Sequence, residues 1–153
     1  MGARTGRCRF RGRPASGHVA PALGDQPVTL LLDTSVLIDH LRGDPAARQA
    51  LAAAVDDGER LAASVVVKVE VLAGMRPAEG PKTRRLLDAL EWLPVDDDIA
   101  ERAGLLANRY LPSHPGVDPV DHIIAATAEL HDAVLWTRNV KHFPMFPDLE
   151  PPY

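Results

Sequence analysis

The sequence predicts an α/β protein with a mostly parallel sheet between two layers of helices, a three-layer α/β/α arrangement. From residue 28 onward, short apolar runs alternate with longer segments of helical periodicity, which is typical of parallel sheets. The first run, Val28–Asp33 (VTLLLD), is continuously apolar up to its final acid, as expected of a strand buried on both faces. The length of 153 residues, 46% of them hydrophobic, suffices for one compact domain.

The elements after this strand have recognisable start and stop signals. Asp44 and Pro45 supply an N-cap and a first-turn proline for a helix that reaches about Val55. Leu61–Ala63 is a short strand candidate. The remaining predicted elements are a helix over 81–91, a strand over Trp92–Val95, a helix from Asp96–Asp98 to about Tyr110, a helix from Asp118 onward, and a strand over Val134–Thr137.

Two further segments are predicted from their periodicity and their capping residues. Val65–Val71 (VVVKVEV) alternates like a strand, whereas Ser64 and Gly74 would cap a helix, and the residues alone leave both interpretations open. The helix that begins at Asp118 carries apolar residues at helical spacing, which predicts one buried face. The predicted face comprises Val120, Ile123, Ile124, Thr127 and Leu130.

Charge divides the chain into a basic start and an acidic body. Residues 1–27 hold five arginines and one acid, are rich in Gly, Pro and Ala, and predict a disordered extension. A basic RNA-binding arm, a targeting peptide and an upstream stretch outside the folded domain are the three alternatives for this extension, and we favour the last. Residues 28–153 hold 12 basic and 20 acidic residues, a formal charge of −8. Such a body is not a typical nonspecific nucleic-acid binder, which would carry a basic patch.

The cysteine content and the apolar runs restrict the cellular setting. Cys8 is the only cysteine, so neither an intrachain disulfide nor a cysteine-based zinc site is expected. This composition suits the cytoplasm, which is the predicted location. The longest apolar stretch, Val28–Ile38, is too short and too polar at its centre to span a bilayer, so no membrane association is expected.

Several polar residues stand where strands of a parallel sheet would end. Asp33 follows an apolar run, where an ionised carboxylate is costly unless it is paired or metal-bound, although it could also simply cap the next helix. Glu70 lies in an apolar segment, with pairing to Lys68 as the ordinary alternative. Asp121 follows Asp118 by three residues, a spacing that a helix N-terminus alone would explain. The small residues after Asp121 would let its helix pack closely on the sheet.

The combination is more informative than any single residue. Thr137 and Asn139 follow the last predicted strand, and the acids can converge with them at one edge of the sheet. Hard oxygen ligands of this kind suit Mg²⁺ or Mn²⁺, which can activate water and offset charge on a phosphoryl group.

Four ordered segments resemble the signature blocks of PIN-domain nucleases, particularly VapC toxins. They are LLLDTSVLIDHL, SVVVKVEVLAG, DHIIAATA and WTRNVKHFP, and the resemblance spans residues 28–153. It implies a PIN-like fold, a helix over Val65–Val71, and a Mg²⁺-dependent endoribonuclease acting by metal-activated water. Matching the blocks assigns the catalytic and metal-binding positions to Asp33, Glu70 and Asp121. The supporting positions fall on Thr34, Thr137 and Asn139.

The resemblance also implies partners. They are a VapB-like antitoxin, an RNA substrate such as tRNA or rRNA, and a second copy of the chain in a homodimer. Because the predicted site is anionic, we expect the antitoxin to place an arginine there, anchored on the apolar surface of Val36–Leu41 and Val65–Met75.

Some features depart from the family pattern or compete with it. Asn139 is neutral where many relatives have Asp, so a second metal would bind weakly, and Asp118 is a possible substitute ligand. A catalytically inactive PIN scaffold and a dehalogenase-like phosphohydrolase using Asp33 are the alternatives, although Ser35 replaces the second acid that the latter needs. Asp96–Asp98 is interpreted as helix capping. The histidines lack zinc-ligand spacing and are predicted to be surface or packing residues, namely His114, His122, His131 and His142.

Overall fold

The computed structural model describes residues 27–153, so the predicted extension over residues 1–27 lies outside the described residues except for Pro27. In this part of the chain the elements are, in order, β1 (Thr29–Leu32), α1 (Thr34–Arg42), α2 (Pro45–Asp56), β2 (Arg60–Ser64), α3 (Val65–Ala73), a 3₁₀ turn (Pro77–Glu79), α4 (Gly80–Asp88), β3 (Glu91–Leu93), α5 (Asp97–Tyr110), α6 (Pro119–Leu130), β4 (Val134–Trp136) and a second 3₁₀ turn (Val140–His142).

The four strands form one fully parallel sheet in the order β3-β2-β1-β4. Leu31, at the centre of β1, pairs with Ala62 of β2 on one side and with Leu135 of β4 on the other. All three side chains are buried, which explains why the strands are apolar without alternation. The prediction of a mostly parallel α/β fold is confirmed.

The strand order reverses at β1, and this reversal sets the layers. The chain moves from β1 to β2 and β3, then crosses back to β4 on the far side of β1. Right-handed connections in opposite directions place α1–α4 and α5–α6 on opposite faces. Helix α6 contacts β2 and β4, and its small residues Ala125, Ala126 and Ala128 are buried, consistent with the predicted close packing on the sheet.

Three predicted caps form in the structure. The carboxylates of Asp44, Asp96 and Asp118 each accept a backbone N–H from the first turn of the following helix, at 2.8, 2.9 and 2.8 Å respectively. These bonds satisfy N–H groups that have no partner within the helix. The capping interpretation of Asp96–Asp98 is therefore confirmed.

The segment Val65–Val71 is helical, but the capping argument for it is wrong. The Ser64 hydroxyl makes no cap hydrogen bond and is buried without a partner, because this residue also ends β2 inside the sheet. Gly74 has φ −87°, so it is not the left-handed C′ residue that the pattern suggests. Val67 and Val71 instead face the core at helical spacing, while Val69 is 67% exposed.

Other differences concern element ends. The helix predicted over 81–91 ends at Asp88, because Glu91 already belongs to β3 and pairs in register with Ala62. Pro94 follows the last residue of β3 and has no N–H for the ladder. Leu130, predicted on the buried face of α6, is 51% exposed because it is the final residue of the helix. Across residues 27–153, none of the helices combines the length and apolar composition that crossing a bilayer requires.

Candidate active site

A cleft of about 460 Å³ opens at the carboxyl ends of β1 and β4. Strand order reverses at this point, which is where open α/β sheets generally bind ligands. The cleft is lined by Asp33, Thr34, Ser35, Ile38, Asp39, Arg42, Glu70, Asp118, Asp121, Arg138, Asn139 and His142. The structure therefore brings the predicted acids together with Thr34 and Asn139.

Asp33 is held by hydroxyl groups from both neighbouring segments. Asp33 directly follows β1 and is only 4% exposed. Its backbone N–H donates to the carbonyl oxygen of Trp136 in β4 at 2.9 Å. Ser35 and Thr137 both donate to Oδ2 of Asp33, each at 2.7 Å. Because these two bonds end on Oδ2, the Oδ1 atom is the one left for a ligand in the cleft.

Glu70 reaches the cleft from α3, and Thr34 donates a short hydrogen bond to its Oε2 atom. The ordinary alternative, a Lys68–Glu70 pair, does not form, since the Lys68 ammonium lies 4.2 Å from the centre of the Trp92 ring. Burial raises the pKa of the Glu70 carboxyl; the bond from Thr34 opposes this shift, and the nearby charges of Asp33, Asp121 and Asp118 add to it.

Asp121 belongs to the first turn of α6. Its Oδ2 atom accepts the N–H of Asp118 at 3.1 Å, which completes a reciprocal capping box. The cap interpretation and a place in the cleft therefore both hold for Asp121 and Asp118. Burial raises the pKa of the Asp121 carboxyl, the Asp118 backbone N–H and His142 lower it, and the Asp33 and Asp118 charges raise it.

His142, which the sequence predicts to be a surface or packing residue, also lies at the cleft. Its Nδ1 atom lies 3.2 Å from Oδ2 of Asp121, and its side chain lines the cleft. Asn139 precedes the same 3₁₀ turn and donates its backbone N–H to the Thr137 hydroxyl at 3.0 Å. Its side chain makes no cap hydrogen bond, so the amide is not committed to the turn.

Three further cleft residues were not singled out from the sequence. Asp39 and Arg42 follow Ser35 on α1 by four and seven positions, so helical periodicity places all three on one face. Once Ser35 is assigned to the site, this periodicity predicts that Asp39 and Arg42 also face the cleft. Arg138 lies between Thr137 and Asn139 in the segment WTRNVKHFP, and this position could also have identified it as a cleft residue.

The donor atoms fit a hard divalent cation, although they do not form a closed shell. Within residues 27–153, no three acidic, histidine or cysteine side chains lie in an arrangement that would hold one ion. The carboxylates of Asp33, Glu70 and Asp121 nevertheless share one cleft, where the charge of Asp33 helps to raise the pKa values of Glu70 and Asp121, a repulsion that a cation would relieve. Mg²⁺ usually keeps several waters and takes few protein ligands, so an open set of oxygens suits it.

Comparison with known sequences shows consistent similarity over the described residues. The family model described as PIN domain matches residues 30–144. The chain is 52% identical to Ribonuclease VapC19 of Mycobacterium tuberculosis over 123 residues, which cover 80% of this chain and 98% of that protein. It is 48% identical to Ribonuclease VapC10 of the same organism over 124 residues, which cover 81% and 92% of the two chains.

Solved structures give the same result. A toxin–antitoxin complex from Klebsiella pneumoniae contains a chain with a TM-score of 0.68 and 35% identity, over 81% of this chain and 98% of that one. VapBC2 from Rickettsia felis, bound to a promoter DNA fragment, has a TM-score of 0.69 over 80% of this chain and 96% of its own. At 20% identity the latter supports the fold alone.

Proposed function

This chain belongs to the PIN-domain family, in its VapC group, and on that premise we propose that it is a metal-dependent endoribonuclease acting as the toxin of a toxin–antitoxin pair. One observation carries the proposal beyond the family. Asp33, Glu70 and Asp121 come from three separate elements and meet in one cleft, where the pKa values of Glu70 and Asp121 are raised by burial and by neighbouring acids. Carboxyls with perturbed pKa values in a cleft are typical of active sites.

The residues of the chain prepare this site in three ways. Ser35 and Thr137 fix the orientation of Asp33 by donating to one of its oxygens. Thr34, which precedes Ser35 on α1, orients Glu70 by donating a hydrogen bond to its carboxylate. The capping box holds Asp121 at the N-terminus of α6, where the helix dipole favours a negative charge. All three carboxylates are thereby positioned before any ligand arrives, which lowers the reorganisation needed for catalysis.

Asp33, Glu70 and Asp121 would hold the cation directly or through water, since they form no closed shell by themselves, with Asp118 or Asn139 as outer contributors. When bound, a divalent cation supplies Lewis-acid chemistry, lowering the pKa of a coordinated water and offsetting phosphate charge. Asn139 offers a neutral oxygen beside the acids. We expect Asn139→Asp to bind Mg²⁺ or Mn²⁺ about 10-fold more tightly in titration calorimetry, because it adds an anionic hard ligand. An unchanged affinity would place Asn139 outside the metal's surroundings.

The direct test is cleavage of a mixture of small RNAs by the purified chain with Mg²⁺, with Mn²⁺ and with EDTA. We expect cleavage that EDTA abolishes, and a loss of at least about 100-fold in Asp121→Asn. Asp97→Asn is the matched control, since Asp97 is also in the first turn of a helix but does not line the cleft. Metal-independent cleavage, or equal activity in all three proteins, contradicts the proposal.

The same assay distinguishes the alternatives. An inactive scaffold would bind RNA without cleaving it, and a phosphohydrolase using Asp33 would release phosphate from small phosphate esters instead. In this structure Ser35 occupies the position of the second acid and donates to Asp33. No observation therefore favours the phosphohydrolase alternative.

A second, smaller groove, with one apolar wall, gives the proposed antitoxin a binding surface. It has a volume of about 90 Å³ and lies between α1 and the end of α3, as the sequence predicts. Its apolar wall includes Ile38, Leu41, Val71 and Met75. Arg42 lines both this groove and the acidic cleft, so the two are adjacent. A segment anchored in the groove would therefore have its next residues near the acids, where an arginine would pair with carboxylates.

Co-expression with the neighbouring open reading frame tests the toxin–antitoxin part of the proposal separately. We expect the two proteins to co-purify and the neighbour to relieve growth arrest caused by this chain. Met75→Asp, placed in the groove, should weaken co-purification while leaving RNA cleavage intact. If the neighbour neither binds nor protects, the antitoxin assignment fails and the nuclease assignment stands. Light scattering of the isolated chain tests the expected homodimer.

A further inference from the structure

Arg138 is held in place by contacts outside the acid cluster. Its Nη1 atom donates a hydrogen bond to the backbone oxygen of Tyr153, and its guanidinium lies 4.9 Å from the centre of the Tyr153 ring. Its Nε atom is 3.9 Å from Oδ2 of Asp39, and the Tyr153 hydroxyl donates to that same oxygen at 3.2 Å. We refer to Asp39, Arg138 and Tyr153 as the Arg138 cluster.

The backbone of Arg138 is fixed relative to Asp33. The Arg138 N–H donates to the Ser35 hydroxyl at 3.0 Å, and that hydroxyl donates to Asp33 at 2.7 Å. Arg138 is therefore anchored at both ends, by Ser35 at its backbone and by Asp39 and Tyr153 at its guanidinium. Immobilising a long side chain in advance reduces the entropy that binding a ligand would otherwise cost.

A polyanion that enters the cleft meets more acidic than basic side chains. Among the described residues that line it, five are acids and only Arg42 and Arg138 are permanent cations. The Arg138 side chain is 42% exposed, and its ion pair with Asp39 is long, at 3.9 Å. A guanidinium has five N–H donors, which is more than these contacts use. Arg138 therefore has both the charge and the free donors to bind an oxyanion.

Tyr153 keeps the same hydrogen bond over the working pH range. Burial, together with the nearby Asp39 carboxylate, raises the pKa of Tyr153 to about 12. The hydroxyl therefore remains a donor to Asp39, and Asp39 remains aligned with the guanidinium. The same aromatic ring limits the guanidinium on one face through a cation–π contact.

We propose that Arg138 binds a phosphate of the RNA strand next to the scissile one, and that Tyr153 and Asp39 are positioning residues for its guanidinium. The inference rests on the proposed function, since it assigns part of the substrate site of that nuclease. The planar fork of arginine matches the geometry of a phosphate, whereas the acids that share the cleft repel one. Arg138 thus offsets the acid cluster at the point where the strand enters or leaves it.

The test compares Arg138→Gln with Arg60→Gln in steady-state cleavage of one labelled RNA at 50–200 mM salt. Arg60 is the matched control, because it is also an exposed arginine paired with an acid but lies at the start of β2, at the other edge of the sheet. One lost contact to a single-stranded phosphate lowers the slope of log KM against log salt by about 0.7. From 50 to 200 mM salt, the wild-type KM should therefore rise about 2.5-fold more than that of Arg138→Gln. Arg60→Gln should keep the wild-type slope.

Two further variants separate binding from a structural role. Arg138→Lys keeps the charge and should restore the salt slope, with a KM between those of wild type and Arg138→Gln. Tyr153→Leu should raise KM with little change in kcat, and should add nothing to Arg138→Gln, because it acts through the guanidinium. A fall in Tm with unchanged KM and slope would show that Arg138 only fastens the end of the chain, and would overturn the inference. If Arg138→Gln does not fold, Arg138→Lys and Tyr153→Leu carry the same comparison.

Failure of the inference differs from failure of the proposed function. A wild-type chain that cleaves RNA, with an Arg138→Gln variant of identical KM and slope, refutes the inference alone. A wild-type chain that neither binds nor cleaves RNA refutes the proposed function and this inference with it.

Discussion

The two edges of the sheet treat charge in opposite ways. At the amino ends of the strands, Arg60 and Glu91 form an ion pair at 2.5 Å, and Glu59 accepts the N–H of Val28 at 2.7 Å. At the carboxyl ends, acids outnumber cations, and the carboxyls of Glu70 and Asp121 have raised pKa values. Paired charges cost the fold little, whereas crowded like charges cost it stability. The carboxyl edge therefore carries the features of a site built for a ligand.

The largest effect that this comparison predicts is at Asp33. Asp33→Asn should reduce RNA cleavage by at least about 100-fold while Tm changes little, because an amide cannot supply the anionic oxygen facing the cleft. Glu59→Gln is the control from the amino edge and should cleave like the wild type. Equal loss in both variants would mean that activity depends on overall charge and not on the carboxyl edge.

The next prediction concerns the hydroxyl that orients Asp33. Thr137→Val removes a donor to Oδ2 and should lower activity by about 10- to 100-fold, the usual cost of losing a group that orients a metal-binding residue. Thr127→Val is the matched control, since Thr127 is equally buried but donates to Ile123 within its own helix. Both variants should lose similar stability in thermal unfolding. If Thr127→Val also loses activity, the effect of Thr137→Val is one of stability alone.

Local patterns predicted part of the carboxyl edge because Asp33, Asp118 and Asp121 mark the boundaries of recognisable elements. The apolar run that stops at Asp33 and the cap spacing of Asp118 and Asp121 are contained in a few consecutive residues. Helix caps and parallel strands were predictable for the same reason. The resemblance then settled Val65–Val71, where local β propensity and the observed helix disagree.

The Arg138 cluster could not be predicted in this way. Tyr153 is 114 positions from Asp39, and their contact exists only because β1 and β4 are neighbours. Nor could the sequence place His142, whose contact with Asp121 depends on a 3₁₀ turn that no periodicity indicates. The Ser64 cap failed because burial in the sheet determines where its hydroxyl lies. Tertiary packing decided each of these cases.

A smaller effect is expected on stability without metal. The pKa of Glu70 in the folded state is raised above its ordinary value of 4.5, so the unfolded chain loses this proton at a lower pH than the folded chain. The free energy of unfolding therefore falls as pH rises from the unfolded pKa to the raised folded pKa. Glu70→Gln removes that loss. In EDTA its Tm should therefore exceed that of the wild type by up to about 3 °C at neutral pH, with a smaller difference near pH 4. Mg²⁺ should reverse the order at neutral pH, because it stabilises the wild type more. A difference that does not change with pH contradicts this account.

The smallest effect is expected at the amino edge, where removing an acid should lower the stability of the protein and not raise it as Glu70→Gln does. Glu91→Gln removes one partner of an exposed ion pair, whose side chains are 51% and 45% exposed, and should lower stability by at most about 1 kcal/mol. The loss should shrink as added salt screens the wild-type pair, and RNA cleavage should be unchanged. Urea unfolding at two salt concentrations measures this loss of stability.

Residues 28–153 carry a formal charge of −8, so removing any acid could in principle relieve general repulsion. If Glu91→Gln stabilised the protein as much as Glu70→Gln, overall charge would explain both results. Opposite signs would instead locate the repulsion at the carboxyl edge.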